Sequence, residues 1–186
     1  MTGTRLITYE ESLTLPESNF DEIVNGELRT MPPTSIEHQE LIGALYLQFR
    51  SQLNRASSLV LQSYGQAIHF EPAFTYRVPD LAVFHRAGLL KKDRYYMISS
   101  PSLLVEVLSP SNRKGNLSEL LADYENIGVP EVWLIEPDMQ VLRVMKLRGT
   151  ALFESASLRE GHVSPAEFQH ISIELQPLWD SLDIIH

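Results

Sequence analysis

The spacing of apolar and polar residues changes several times along the chain, and each change predicts a different element. Residues 22–31 form two short stretches on either side of Asn25-Gly26. This pair tolerates the positive φ angles of a two-residue turn, so the segment predicts a β-hairpin near the N-terminus. Two prolines follow and end the hairpin.

The next stretch has the period of a helix. Thr34 or Ser35 can cap its start, and Glu37 would complete a capping box with Thr34. Apolar residues then recur at spacings near four, which is the pattern of an amphipathic helix. They are Ile36, Leu41, Leu45, Phe49 and Leu53.

From residue 59 the pattern is that of short strands. Four follow one another, at 59–64, 66–70, 74–78 and 81–84. A fifth strand, 102–109, is almost continuously apolar, which predicts a central strand covered on both faces.

The last third of the chain alternates between helix and strands. Residues 117–127 predict a helix, and Gly128 suits the position after its end. The remaining elements are strands at 131–136 and 141–147 around Pro137-Asp138, strands at 151–156 and 171–175, and a closing helix at 177–182. This order predicts a mixed α/β (α+β) fold, in which helices flank a central mixed β-sheet.

Length and composition fit one domain over residues 1–186, because no linker, repeat or low-complexity segment divides the chain. The chain has no cysteine, which excludes disulfides, thiolate metal sites and cysteine nucleophiles. The N-terminus lacks the apolar core of a signal peptide, and no apolar run approaches the roughly 18 residues of a membrane span. We therefore expect a cytoplasmic protein without a membrane partner.

The net charge of −9 argues against a chain that binds phosphate over its whole surface. The charge is unevenly spread, since residues 77–114 contain seven basic and only three acidic residues. This stretch could contact a nucleic-acid backbone. Alternatively, Lys91–Arg94 is only a solvated loop, as runs of charge often are.

Glu106 is the most informative residue, because it interrupts an apolar strand. Alternate side chains of a strand face opposite ways, so Leu104, Glu106 and Leu108 share one face. A desolvated carboxylate is costly there unless a partner offsets the cost. This cost can be offset in four ways: by protonation of the carboxylate, by a buried Arg or Lys, by a metal ion, or by a strand end that is open to water.

Asp80 follows Pro79 at the start of another apolar strand. Pro-Asp is by itself a common turn pair. If the two strands pair, however, Asp80 and Glu106 can converge at the strand ends on one cation. Hard cations such as Mg²⁺ prefer oxygen ligands, and a cation held in this way can polarise a phosphate and activate a bound water.

Four groups of residues stand in a specific order along the chain: Asn25-Gly-Glu-Leu with Met31-Pro-Pro and His38, then Arg77-Val-Pro-Asp80, then Leu104-Val-Glu-Val-Leu-Ser-Pro-Ser111, then Tyr124 with Gly128-Val-Pro-Glu-Val-Trp133 and Pro137. In this the chain resembles the Uma-two family of bacterial nucleases, within the PD-(D/E)XK restriction-endonuclease-like superfamily. The similarity runs from about residue 8 to about residue 182. It implies a restriction-endonuclease-like core in which Asp80 and Glu106 bind Mg²⁺ or Mn²⁺.

The resemblance breaks at the catalytic lysine. The superfamily has a Lys two residues after the Glu, where this chain has Leu108. Uma-two relatives carry it instead on the following helix, four residues before the Tyr and four after an Asp. Here those positions are Leu120 and Asn116. Lys114 or Arg113 could reach the site instead, or the site is degenerate and cuts slowly or not at all.

Further candidates follow from position. His38 could face the site as a catalytic residue or be a packed histidine, and Gln66 could approach a metal water or be a sheet-edge amide. Tyr124 and Trp133 are predicted to be core aromatics.

The chain has no Gly-rich phosphate loop, and we expect no organic cofactor. Candidate contacts to a nucleic-acid backbone are Arg77, Lys91, Lys92 and Arg113.

Three functions fit these residues. The first is a Mg²⁺- or Mn²⁺-dependent endonuclease that acts on nucleic acid, with DNA favoured over RNA as the substrate. Its site would contain Asp80, Glu106, Lys114 and His38. The resemblance implies that such an enzyme works as a homodimer. The second is a non-catalytic nucleic-acid-binding or regulatory module. The third is a metal-dependent hydrolase of a small phosphorylated compound, since fold does not fix function.

Overall fold

The computed structural model describes residues 6–15, 21–31, 33–71, 73–87, 89, 96–108 and 117–183. The α-helices among them are α1 (Tyr9–Ser12), α2 (Ile36–Gln52), α3 (Leu117–Asn126) and α4 (Gln176–Asp180). The strands are β1 (Asp21–Val24), β2 (Glu27–Thr30), β3 (Ser58–Gln62), β4 (Gly65–His69), β5 (Thr75–Arg77), β6 (Leu81–His85), β7 (Tyr96–Met97), β8 (Leu103–Val107), β9 (Glu131–Glu136), β10 (Val141–Arg148), β11 (Ala151–Leu158), β12 (His162–Val163) and β13 (Ile173–Glu174).

Two sheets contain most of these strands. The larger has six strands in the order β11-β10-β9-β8-β6-β3, and the smaller has five in the order β2-β1-β5-β4-β7. Strands β8 and β9 run parallel, as do β4 and β7, while the other pairs in these two sheets are antiparallel. The prediction of a mixed sheet flanked by helices is therefore confirmed. No helix of the described residues is long and apolar enough to cross a membrane.

The apolar strand β8 lies inside the larger sheet, between β9 and β6, as its sequence predicted. Its odd-numbered residues Leu103, Val105 and Val107 pack with the buried face of α2. Leu104 and the following Leu108 pack on the opposite face, in a cluster that includes Tyr124 of α3. Both faces of β8 are thus covered, so a polar side chain on this strand must be accommodated inside the fold.

Helix α2 begins one residue later than a capping box at Thr34 would place it. Ser35 is the N-cap, and its hydroxyl accepts the His38 N–H at 3.2 Å. The predicted apolar stripe is buried from Leu41 onward, whereas Ile36 is 65% exposed. The step from residue 36 to 41 is five residues, which rotates Ile36 well away from the buried stripe of a helix.

The predicted hairpin is formed by β1 and β2, which join the smaller sheet through β5. Asn25 and Gly26 adopt φ angles of 52° and 79°, as the two-residue turn requires. The register pairs Glu22 with Arg29. The Ile23–Tyr76 pair, extended by one residue, places Glu22 opposite Arg77 of β5.

Helix α3 packs against residues of both sheets. Tyr124 lies in one cluster with Ile68 and Met97 from the smaller sheet and with Phe84 and Leu104 from the larger. Gly128, with a φ of 69°, ends this helix region as predicted. The polar residues of α3 can therefore reach both β6–β8 and the hairpin sheet. The short elements α1, β7 and β12 have no counterpart in the predictions.

Candidate active site

Asp80 and Glu106 are brought together by the register of β6 and β8. Leu81 pairs with Val105 in this antiparallel ladder, so one further step places Asp80 opposite Glu106. The Val107 N–H donates to Asp80 Oδ2 at 2.7 Å, which ties the loop before β6 to β8. Directly opposite residues of an antiparallel pair share a face. The two carboxyl groups therefore lie side by side, as the sequence required for a shared site.

The Glu106 carboxyl is held in an environment that disfavours its charge. Burial raises its pKa well above the ordinary value, and the neighbouring Asp80 raises it further. The Tyr124 hydroxyl donates a hydrogen bond to Glu106 Oε1 and opposes this rise, as does the more distant charge of Arg77. Glu106 consequently keeps its proton to higher pH than a free glutamic acid.

Tyr124 is both a core residue and a donor to the site. Its ring is fully buried, as predicted for a core aromatic. Burial and the adjacent Glu106 raise the pKa of its hydroxyl well above the ordinary value, so the hydroxyl stays protonated and donates. No sequence pattern indicates this contact, because it depends on the packing of α3 against β8.

His38 lies in the first turn of α2, on the other side of Asp80. Its Nε2 is 3.0 Å from Asp80 Oδ1, and both side chains keep 17% exposure. Since the Ser35 cap fixes the first turn of the helix, it also fixes the position from which His38 reaches Asp80. The structure thus brings together three predicted site residues: His38, Asp80 and Glu106.

Arg77 forms the centre of a buried charged group beside these carboxylates. Its Nε donates to Asp123 Oδ2 at 2.7 Å and its Nη1 to Glu22 Oε2 at 2.9 Å. Burial disfavours the guanidinium charge, but Glu22 and Asp123 outweigh it and raise the Arg77 pKa, so the residue stays charged. The second oxygen of Glu22 accepts the Val78 N–H at 3.0 Å.

The charged group continues to the surface through Glu119. This residue sits one helical turn before Asp123 and accepts two hydrogen bonds from Arg29, at 2.6 and 3.2 Å. The hydrogen bond from Arg29 is the main reason that the Glu119 pKa is lowered. Residues of β1 and α3 therefore contact Arg77, and Arg29 of β2 extends the group through Glu119. Sequence spacing alone could not have shown this convergence.

The predicted contact of Arg77 with a nucleic-acid backbone does not fit this placement. Arg77 is 2% exposed and two buried carboxylates occupy its guanidinium. We therefore assign Arg77 to the internal charge group instead. The other predicted basic residues, Lys91, Lys92, Arg113 and Lys114, lie outside the described residues.

The two positions at which the sequence resemblance predicts a catalytic lysine, Leu108 and Leu120, lie in apolar surroundings. Leu108 is 3% exposed, and Leu120 packs in the same cluster. Arg77 is the cation that acts on the Glu106 pKa within the described part of the chain. Because it is already paired, it does not replace a free lysine.

Gln66 is a further polar residue in this region. It lies on β4 directly opposite Arg77 and beside Met97 of β7, and it is 1% exposed. Its Nε2 donates to the Ala67 carbonyl at 3.0 Å, but its Oε1 has no hydrogen-bond donor among the described residues. A buried acceptor without a donor is unfavourable, which makes it a candidate contact for a group from outside the chain.

These residues fit a hard divalent cation. Among the described residues, no group of three or more His, Asp or Glu side chains is placed so that all of them could hold one metal ion. Mg²⁺, however, is commonly held by one or two carboxylates and keeps several waters. Asp80 and Glu106 supply the two carboxylates, and Gln66, opposite Arg77 on the neighbouring strand, has a buried oxygen with spare acceptor capacity. The raised Glu106 pKa is of the kind that a bound dication would reverse.

A solved structure and a family model resemble this chain. The crystal structure of "a putative nuclease belonging to DUF820" from Anabaena variabilis ATCC 29413 superposes with a TM-score of 0.75. It is 20% identical, and the match covers 95% of this chain and 99% of that one. At this identity the likeness shows a shared fold. No curated protein matches the chain.

The family model Uma2, described as "Putative restriction endonuclease", matches residues 9–176. The match spans the hairpin, both sheets, and the positions of Asp80 and Glu106. It agrees with the resemblance found in the sequence motifs. The chain belongs to the Uma2 family of restriction-endonuclease-like proteins.

Proposed function

We propose that this protein is a divalent-metal-dependent endonuclease that hydrolyses phosphodiester bonds of nucleic acid, with DNA as its substrate. One observation carries the proposal. The β6–β8 register sets Asp80 opposite Glu106 beside a buried strand, where two carboxylates repel each other unless a cation or a proton joins them. Membership of a nuclease family supports the same reaction.

Asp80 and Glu106 would hold Mg²⁺ or Mn²⁺, which when bound would polarise the scissile phosphate. The chain's own groups prepare these ligands. Tyr124 fixes one oxygen of Glu106, and the Val107 N–H fixes one oxygen of Asp80. The hydrogen-bonded carboxyls are thereby oriented before any substrate arrives, as supporting contacts of metal ligands generally do.

His38 is the proposed proton-transfer residue. Its Nε2 contacts Asp80 Oδ1 and its side chain retains access to solvent. An imidazole in this position can accept a proton from an attacking water or return one to the leaving oxygen. Lys114 would supply the missing positive charge, and Lys91, Lys92 and Arg113 would contact the nucleic-acid backbone.

Calorimetric titration of Mn²⁺ combined with plasmid nicking tests this proposal. Wild type, Asp80→Asn and Glu106→Gln are compared at equal concentration. Glu154→Gln is the matched control, since Glu154 is an exposed carboxylate three strands away from β8 in the same sheet. We expect binding and nicking in wild type and in the control, and loss of both in the two site variants.

Different outcomes refute different parts of the proposal. Nicking that survives Glu106→Gln would mean that the activity lies elsewhere or comes from a contaminant. Turnover of a mononucleotide or sugar phosphate, without any cleavage of polymers, would favour a small-molecule hydrolase. Absence of Mn²⁺ binding in wild type would leave Glu106 as a structural carboxyl, and the catalytic assignment would fall.

A second candidate function is a nucleic-acid-binding module that does not cut. The observation in its favour is the apolar packing of Leu108 and Leu120, the two positions where relatives carry the lysine. Such a module should bind DNA in EDTA, and its affinity should fall steeply with salt because phosphate contacts release counterions. Metal binding without cleavage of DNA or RNA would support it over the endonuclease.

We also propose a homodimer, because two copies would place two such sites on a duplex. Sedimentation equilibrium with and without a short DNA duplex tests it. A monomer in both conditions would refute the dimer without affecting the metal site.

A further inference from the structure

The Gln66 side chain is fixed in the interior with only half of its amide satisfied. The amide nitrogen is anchored on the Ala67 carbonyl at 3.0 Å, whereas Oε1 has no donor among the described residues. Rotating the amide by 180° would bring an oxygen to face the Ala67 carbonyl and would leave the NH₂ group unpaired. The hydrogen-bond pattern therefore fixes which atom lacks a partner.

The register places Gln66 beside Arg77, whose charge acts on the Glu106 carboxyl. Directly paired residues across a sheet share one face, so Gln66 faces the same way as Arg77, whose guanidinium binds α3 through Asp123. On its other side Gln66 pairs with Met97, which packs in one cluster with Tyr124. Gln66 thus lies between Arg77 and Met97. Arg77 lowers the Glu106 pKa, and Met97 packs with Tyr124, which donates to Glu106.

Most neighbouring donors are already engaged, since the Nε and Nη1 groups of Arg77 donate to Asp123 and Glu22 and the Tyr124 hydroxyl donates to Glu106. Arg77 Nη2 lies 2.7 Å from Asp123 Oδ2 in an ion pair but makes no hydrogen bond among the described residues, to Gln66 Oε1 or to any other acceptor. Leaving an acceptor buried without a donor costs about 1–3 kcal/mol. A water molecule is the smallest donor that can remove this cost, and buried waters typically bridge otherwise unsatisfied polar groups.

We infer that Gln66 Oε1 accepts a hydrogen bond from a water molecule held at the Asp80–Glu106 carboxylate site, and that Gln66 is a positioning residue for that water. The inference rests on the proposed function, since it assigns the water to the cation-binding site. A hard cation in a protein keeps several waters, whose hydrogens need oxygen acceptors. Gln66 Oε1 provides such an acceptor, because it is buried and has no donor among the described residues.

Gln66→Met tests this inference, because methionine has a similar length and lacks the acceptor. Loss of an outer contact of this kind typically lowers metal affinity by about 10–100-fold. We expect that loss in Mn²⁺ affinity by calorimetry, with a urea unfolding midpoint close to that of wild type, since methionine fills a similar volume and needs no hydrogen-bond donor. Met97→Leu is the matched control, buried next to Gln66 on the same row, and should leave Mn²⁺ affinity unchanged.

A second variant separates the oxygen from packing. Gln66→Glu keeps an acceptor oxygen at the same distance from the backbone and should bind Mn²⁺ at least as tightly as wild type. An affinity that falls equally in the Met and Glu variants would assign the effect to packing and overturn the inference. Unchanged affinity in Gln66→Met, with binding lost in Glu106→Gln, would overturn the role of Gln66 and leave the proposed metal site intact. Absence of Mn²⁺ binding in wild type would remove both.

Discussion

Arg77→Met decides whether Arg77 is an internal ion-pair partner or a contact for nucleic acid. In the structure the guanidinium is 2% exposed and is shared by Glu22 and Asp123, which are 6% and 8% exposed. Methionine would fill much of the same volume but leave both carboxylates without their cation. Removing one partner of a buried ion pair destabilises a protein by about 3–5 kcal/mol. We expect a loss of this size in the free energy of unfolding.

Urea unfolding followed by tryptophan fluorescence measures this loss. Trp133 and Trp179 are 0% and 3% exposed and should report on unfolding of the core. With a urea slope of about 2 kcal/mol/M, the expected loss moves the midpoint down by roughly 2 M. Arg143→Met is the matched control, because Arg143 also contacts two carboxylates but is more exposed. It should cost no more than about 1 kcal/mol.

Two further results sharpen the test. Adding Glu22→Gln and Asp123→Asn to Arg77→Met should recover part of the lost stability, because neutral amides need no cation. The opposite interpretation, a phosphate contact, predicts an unfolding midpoint close to wild type and a large loss of DNA affinity. A destabilisation of Arg77→Met no larger than that of Arg143→Met would refute the assignment of Arg77 to the internal charge group.

Three other predictions follow from the same structure. Burial raises the pKa of Glu131 above its ordinary 4.5. The stability that this group contributes should therefore fall as the pH rises from 4.5 through the raised folded pKa. Glu131→Gln should remove that part of the slope when melting temperatures are measured from pH 4.5 upward. Tyr124→Phe removes a hydrogen bond that lowers the Glu106 pKa, so Glu106 should keep its proton to higher pH and compete less well for metal. Mn²⁺ should therefore bind more weakly than in wild type at about pH 7, with a smaller loss at about pH 8.5. A loss of affinity that is the same at both pH values would contradict this explanation. Gly26→Ala places a Cβ 2.9 Å from a side-chain carbon at a φ of 79°, and should lower the free energy of urea unfolding by about 1–2 kcal/mol. Gly43→Ala, with open space around its Cβ, should not lower it.

The elements that the sequence predicted well are those with local causes. Asn25-Gly26 produced the hairpin turn, and the apolar run around Glu106 produced a central strand, because turn chemistry and burial act over a few residues. The sequence could predict that Asp80 and Glu106 lie together only if their two strands are neighbours. The β6–β8 register shows that they are. Short elements such as β7, with two residues, contain too few positions to show a period.

The contacts around the site could not be predicted from the sequence, for a different reason. Arg77 looked like one member of a basic stretch, and its true partners come from β1 and α3, which lie 55 and 46 residues away along the chain. Likewise Tyr124 was correctly predicted to be buried, but its hydrogen bond to Glu106 depends on how α3 packs against β8. Charge pattern along a chain cannot distinguish a solvated cation from a paired one, because that difference arises only when distant elements pack.

The charge balance around the site constrains both candidate functions. The described acids that meet there are Asp80, Glu106, Glu22, Glu119 and Asp123, and the cations paired with them are Arg29 and Arg77. Even with Glu106 protonated, these acids outnumber the cations among the described residues, so the field of this part of the chain favours a dication and opposes a phosphate that arrives without one.

Nucleic acid should therefore reach these carboxylates only with bound metal. If DNA binding persists in EDTA, it must use another surface, and Asp80→Asn should then leave that binding unchanged or strengthen it by removing a repelling charge. If instead Asp80→Asn weakens DNA binding only when Mn²⁺ is present, the metal is the link between the carboxylates and the phosphate. The two results separate a binding module from an endonuclease before any cleavage is measured.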